Sequence, residues 1–164
     1  SVKCAGDRID RAVIDYIKKA HNLAIGDRTA ERIKMEIGSA LKVVESKELR
    51  IKISGRDYIS GLPRTIEIGT NEIVEAISRE LKEMTQAIKD VLAETPPELA
   101  SDIIDRGIMM TGGTAQLRNL TKLVEKATGV KAYLVDKPLH AVAQGTGHAL
   151  EHLDVYKKSI IAKR

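Results

Sequence analysis

The chain has 164 residues, with 27 Lys and Arg against 23 Asp and Glu, a single cysteine, and neither Phe nor Trp. That length suffices for one ordinary domain or two small lobes around an aliphatic core, while a lone Cys4 excludes an intrachain disulfide and the lack of Phe and Trp argues against an aromatic platform for single-stranded nucleic acid. With no charged-then-apolar leader and no long apolar run, a soluble protein of a reducing, intracellular compartment is expected.

In chain order, Ile9, Val13, Tyr16, Ile17 and Ala20 form a one-sided stripe that predicts a helix from about Asp7 to His21. A second helix is predicted to start near Asp27 to Thr29, capped by a short polar side chain, to bury Ala30, Ile33, Ile37 and Ala40, and to stop at Gly38-Ser39. The period then changes to two. Leu49, Ile51 and Ile53 alternate with Glu48, Arg50 and Lys52, Ser54 to Asp57 reads as a turn, and Ile66 and Ile68 mark a returning strand, which gives an antiparallel pair.

Thr70 or Asn71 is expected to cap the longest helix, whose stripe of Ile73, Ile77, Leu81, Met84, Ile88, Val91 and Leu92 runs to Thr95. At 1.5 Å per residue it would span roughly 30 Å and connect two lobes. Pro96 and Pro97 end it and suit a new short helix over Pro97–Asp105, with Thr95 as cap. Ile108–Thr111 reads as a strand. Leu117, Leu120, Val124 and Ala127 then form a helical stripe stopped by Gly129, and Ala132–Val135 reads as a second strand, together a right-handed parallel crossover. A last helix is predicted from His140 to about Leu153. Its Gly145 and Gly147 each cost about 1 kcal/mol against Ala unless something approaches closely. Residues 155–164 carry Lys157, Lys158, Lys163, Arg164 and no acid, so the net charge of +4 sits in a tail expected to be frayed and solvated.

The segment with most chemistry in it is Met109-Met110-Thr111-Gly112-Gly113-Thr114-Ala115-Gln116-Leu117. Two glycines at the carboxyl end of a parallel strand let backbone amides face a ligand at the edge where open α/β sheets bind one; a plain tight turn is the equally available reading. Other candidates are weaker. His148 and His152 stand four apart with no third ligand placed, Cys4 has no base partner, and the charges Arg32 and Glu36, or Glu80, Lys82, Glu83 and Lys89, read as solvated helix faces. No metal site and no catalytic residue is assigned.

Taken together, Ala5-Gly6-Asp7-Arg8-Ile9-Asp10, Thr29 to Ala40 (TAERIKMEIGSA), Pro96 to Ile103 (PPELASDI) and Thr111 to Ala115 occur in the order and composition that resembles the MreB family of bacterial actins, over nearly the whole chain but only the second half of a family member. The resemblance implies the second half of an actin-like, ribonuclease H-like ATPase fold: a partly parallel α/β lobe plus a smaller α+β lobe with an antiparallel strand pair. Residues 5–70 would form a small upper subdomain, residues 1–4 and 71–153 a large lower one with Ser1 to Cys4 as a strand, and residues 154–164 the basic tail. It further implies that Glu31 and Lys34 are the helix residues that meet ribose and adenine, with Arg32 and Ile33 between them in the cofactor-binding set, and that Gly112, Gly113, Thr114 and Ala115 form the adenosine loop. From the residues alone, Glu31 and Lys34 share a helix face, and a solvated pair is the favoured reading. The family usually has a third glycine where this chain has Thr114.

In the complete protein the resemblance implies ATP with Mg²⁺ as cofactor, head-to-tail self-assembly into a filament, partners in cell-wall synthesis and at the membrane, and a cytoplasmic location with the polymer at the membrane. No tight nucleotide binding and no nucleic-acid binding is expected of this chain. The family's two acidic, glycine-rich phosphate hairpins and water-orienting residue lie upstream of the matched segment; Glu67-Ile68-Gly69-Thr70-Asn71 imitates one but reads as strand exit and helix start. Since phosphoryl transfer depends on positioning and charge stabilisation, the chain alone is expected to be catalytically inactive. The alternatives are a fragment of a chaperone-type or sugar-kinase ATPase of the same fold, or a nucleic-acid module acting through the basic tail.

Overall fold

The structure is a computed structural model that describes residues 5–160, with side chains described to residue 156. Helix α1 (Gly6–His21) buries Ile9, Val13 and Ile17 and ends at Asn22 in the left-handed conformation. Its stripe lies against α2 (Asp27–Ile37), whose Ala30, Ile33 and Ile37 are buried on the facing side. Contrary to the capping expectation, α2 starts behind Gly26 with no side-chain cap. Ala40 is buried as expected but follows the helix.

Strands β2 (Arg50–Asp57) and β3 (Pro63–Gly69) pair antiparallel, Ile51 opposite Ile68 and Ile53 opposite Ile66. The expected turn at Ser54 to Asp57 is instead strand. β1 (Leu23–Ala24), too short to show a period, pairs with Arg56 and Asp57 and makes a three-stranded sheet. Gly55 allows this: a Cβ there would lie 2.2 Å from the Ala24 carbonyl oxygen. The chain reverses one step later, where Asp57 Oδ1 accepts the amides of Ile59 (2.9 Å) and Ser60 (2.8 Å).

The long helix is two: α3 (Thr70–Ala76) and α4 (Ser78–Ala93). Ile77 between them, at φ −100° and ψ 6°, still donates to Ile73 O and accepts from Leu81 N, so the hydrogen-bond ladder runs on through the junction. Its N-cap is Gly69, not Thr70 or Asn71, and the Gly69 amide donates to Glu72 Oε1 over 3.1 Å. Thr95 does not cap α5 (Pro97–Arg106); its hydroxyl donates to Val91 O at the end of α4, and Pro96 occupies the cap position. Glu80, expected on a solvated face, is buried.

Strands β4 (Ile108–Met110) and β5 (Ala132–Leu134) pair in parallel across α6 (Leu120–Thr128). Leu117 precedes α6 and closes a 3₁₀ turn over Thr114–Gln116. The final helix divides at His152 into α7 (Ala141–Glu151) and α8 (Leu153–Ile160), so the start of the tail is helical rather than frayed. A Cβ at Gly145 or Gly147 would meet nothing within 4 Å, so no close approach explains them. Cys4 and the Ser1 to Cys4 strand expectation lie outside the described residues.

One hydrophobic cluster runs from Ile9 through Ile53, Ile68, Ile73, Ile77 and Leu81 to Leu117 and Leu120. It joins the antiparallel sheet, α1 to α4 and the loop before α6. By contrast α5 and α7 bury no residue fully, and Met109, Tyr133, Leu139, Val142 and Leu150 are exposed.

Candidate functional site

The loop after β4 is shaped by its first glycine. Gly112 has φ +90°, a conformation that L side chains rarely adopt, and its amide donates to Pro138 O over 3.0 Å, as does the Thr111 hydroxyl. Held in this way, the loop turns Gly113 and Thr114 toward the first turn of α1 and one face of α2. Between them lies a groove of about 580 Å³, lined by Gly6, Asp7 and Asp10 of α1, Glu31, Lys34 and Met35 of α2, and on the other side by Gly113, Thr114, Gln116, Leu117, Arg118 and Leu139. That volume falls in the range of small-molecule sites.

Of the residues singled out in sequence, Glu31, Lys34, Gly113 and Thr114 line this groove. Arg32 is exposed outside it, Ile33 is wholly buried in the core, Ala115 is buried, and Gly112 acts through the turn rather than as lining. Lys34 is not the exposed cation its spacing suggested. Its side chain is 16% exposed, and Nζ donates to Asp10 Oδ2 at 2.8 Å. Asp10 Oδ1 is buried with no hydrogen-bond partner among the described residues. A methyl at Gly6 would lie 3.4 Å from Lys34 Nζ and 3.6 Å from Thr114 Oγ1, so the bare first turn of α1 is where the α2 cation and the loop hydroxyl converge.

Asp10, Gly6, Met35 and Arg118 were missed as site residues. Gly6-Asp7 at the head of a helix stripe was a usable signal for the α1 end; nothing in spacing marks Arg118. Chemically, the lining offers carboxylates as acceptors for ligand hydroxyls, a cation already neutralised by Asp10, and Met35, Leu117 and Leu139 as apolar contact for a planar ring. With Lys34 paired to Asp10, the Arg118 guanidinium engaged by Gly38 O, Ile37 O and Thr70 Oγ1, and Asp7 and Glu31 also in the lining, the groove suits the uncharged end of a ligand better than a polyanionic one. Among the described residues no cluster of three metal-ligating side chains occurs.

The sequence profile of the family described as MreB/Mbl protein matches residues 1–158. The chain belongs to the MreB/Mbl family. It is 44% identical over 154 residues to the cell shape-determining protein Mbl of Bacillus cereus, covering 94% of this chain and 46% of that one. To the cell shape-determining protein MreB of Escherichia coli K12 it is 44% identical over 156 residues, covering 95% and 44%. The crystal structure of MreB5 of Spiroplasma citri bound to AMPPNP superposes with a TM-score of 0.88 at 32% identity, over 98% of this chain and 47% of that one; another MreB5 structure is bound to ADP. The fold is therefore that of one half of the actin-like proteins, and the chaperone and sugar-kinase alternatives give way to the MreB/Mbl assignment. The chain spans about half the length of the curated MreB and Mbl relatives it matches. No helix among its described residues is long and apolar enough to cross a membrane.

Proposed function

We propose that this chain supplies the nucleoside-side wall of the ATP cleft in a filament-forming, cytoplasmic MreB-type protein that maintains bacterial cell shape. The observation that carries the reading is the shared groove in which Glu31 and Lys34 face Gly113 and Thr114. In it the Glu31 carboxylate accepts from sugar hydroxyls, the Lys34 stem and Leu117 flank the base, and the Gly113 backbone approaches the ligand with no Cβ of its own in the way. In the complete protein the nucleotide would be ATP with Mg²⁺, which would supply the phosphoryl group. These residues only hold and orient its adenosine end. Residues 5–70 act as the upper subdomain and 71–153 as the lower, with α3 and α4 passing between them.

Self-assembly is the second part of the proposal, and charge supports it. At one end of the molecule the β2–β3 tip exposes Tyr58, Ile59 (82% exposed) and Leu62 among Lys18, Lys19 and Arg56, with Arg64 paired to Asp57. At the other, the end of α4 and α5 expose Val91, Leu99 and Ile104 among Asp90, Glu94, Glu98, Asp102 and Asp105, with Lys89 and Arg106 in the minority. The separation follows from two contacts. The end of α1 lies at the tip, where Asn22 O accepts from Tyr58 N and His21 O from Arg64 Nη1, while the His21 ring reaches Glu72 of α3; Arg8 meets Glu83 about 20 Å farther along α1, and α4 continues roughly 15 Å beyond that. An apolar basic end that meets an apolar acidic end of the next copy does not close, and an open filament results. Contacts with wall-synthesis and membrane proteins belong to the same reading.

Calorimetry with adenosine and with ATP tests the cleft assignment. Both are expected to bind about equally, with dissociation constants of roughly millimolar or weaker. A strong, Mg²⁺-dependent preference for ATP would contradict it.

A further inference from the structure

Arg118 lies at the joint of three segments. Its Nε donates to Gly38 O (3.0 Å), and its Nη2 to Ile37 O (2.9 Å) and to Thr70 Oγ1 (3.1 Å). The first two acceptors are free carbonyls at the C-terminal end of α2, where a cation is favoured, and the third is a fully buried hydroxyl in the first turn of α3. The backbone joins in as well. Arg118 O accepts from Ala40 N at 2.7 Å, and the neighbouring Asn119 Nδ2 donates to Ser39 Oγ at 3.0 Å. Gly38 itself is so close to Leu117 that a Cβ would lie 2.9 Å from Leu117 Cδ1.

These contacts connect the two walls of the groove. The Gly38 amide donates to Lys34 O, so whatever holds Gly38 holds the turn that presents Lys34 and, one turn earlier, Glu31. On the opposite wall, Arg118 follows directly on the 3₁₀ turn that presents Thr114. A guanidinium binds in several directions from one rigid plane, which an ammonium does not. We propose that Arg118 is the positioning residue that sets the width of the groove, by locking the end of α2 and the start of α3 to the loop that carries Gly113 and Thr114.

The test places spin labels at Arg32→Cys on α2 and Lys122→Cys on α6, both exposed and outside the groove, in the full chain with Cys4→Ser. Distances are measured without ligand, under conditions where unfolding curves show each variant folded. Arg118→Ala is expected to broaden the distribution and shift it to longer distance. Arg118→Lys keeps the charge but loses the fork, and is expected to broaden it less; if the alanine variant does not fold, the lysine variant carries the test. A distribution that superposes on the wild type in the folded variant overturns the assignment. A second readout rests on the nucleoside reading of the groove: adenosine affinity, followed by chemical shifts, should fall about fivefold or more in Arg118→Ala. A narrow wild-type distribution with no adenosine response would contradict that reading and leave the role of Arg118 standing.

Discussion

Lys34 and Asp10, from adjacent helices, form an ion pair of 2.8 Å in which the side chains are 16% and 14% exposed. Removing one partner leaves the other charge in a partly desolvated wall of the groove. Lys34→Ala is therefore expected to destabilise the chain by about 1–3 kcal/mol in urea unfolding. The double variant with Asp10→Asn should recover part of that loss. An unchanged urea midpoint in Lys34→Ala would show that the pair carries no weight in the fold.

Gly38 gives the same wall a steric test. Its backbone angles are open to any residue, yet a Cβ would lie 2.2 Å from Lys34 O and 2.9 Å from Leu117 Cδ1. Gly38→Ala should cost about 1–3 kcal/mol as the last turn of α2 and Leu117 move apart. A stability equal to wild type would mean that this approach is looser than described.

The β2–β3 tip has its own electrostatic anchor. Asp57 accepts from the Ser60 amide and hydroxyl, from the Arg64 guanidinium at 2.7 Å and from the Ile59 amide, and these bonds hold its carboxyl well below the usual carboxylate range. With the folded pKa depressed, its stabilisation is fully present above the unfolded value near pH 4 and is lost as pH falls toward the folded one. Asp57→Asn should lower stability at neutral pH, and the difference from wild type should shrink as the solution is acidified below about pH 4. A difference that stays constant across that range would assign the effect to packing.

Association should report the opposed ends. Sedimentation is expected to show a monomer at micromolar concentration, because half of a standard interface of about 800 Å² per partner is little to hold two copies together. At higher concentration weak association should appear and decline with salt, and Ile59→Asp should remove it. A tight oligomer whose size is independent of concentration and salt would contradict the head-to-tail proposal.

The stripes of α1 and α2 and the alternation around Ile51, Ile53, Ile66 and Ile68 were legible because burial on one face imposes a period. β1 was not, since two residues have no period, and Gly55 looked like turn chemistry when it was a close-approach site within a strand. The interruption at Ile77 leaves the buried stripe of Ile73, Ile77 and Leu81 unbroken and so leaves no trace in the pattern. At the groove, Glu31 and Lys34 were named through the family resemblance, since their shared face by itself reads as a solvated pair, and the place of the diglycine after a strand left a plain tight turn equally open. Asp10 reaches Lys34 across 24 positions, and Arg118 reaches Gly38 and Ile37 across about eighty, distances over which spacing carries no signal.

The most direct measurement is an amide chemical-shift titration of the full chain with adenosine. If one groove receives the nucleoside, Glu31 and Lys34 on α2 and Gly113 and Thr114 on the loop should shift together and saturate with one dissociation constant, in the millimolar range or weaker. Shifts confined to one of these walls, or to residues remote from both, would contradict it.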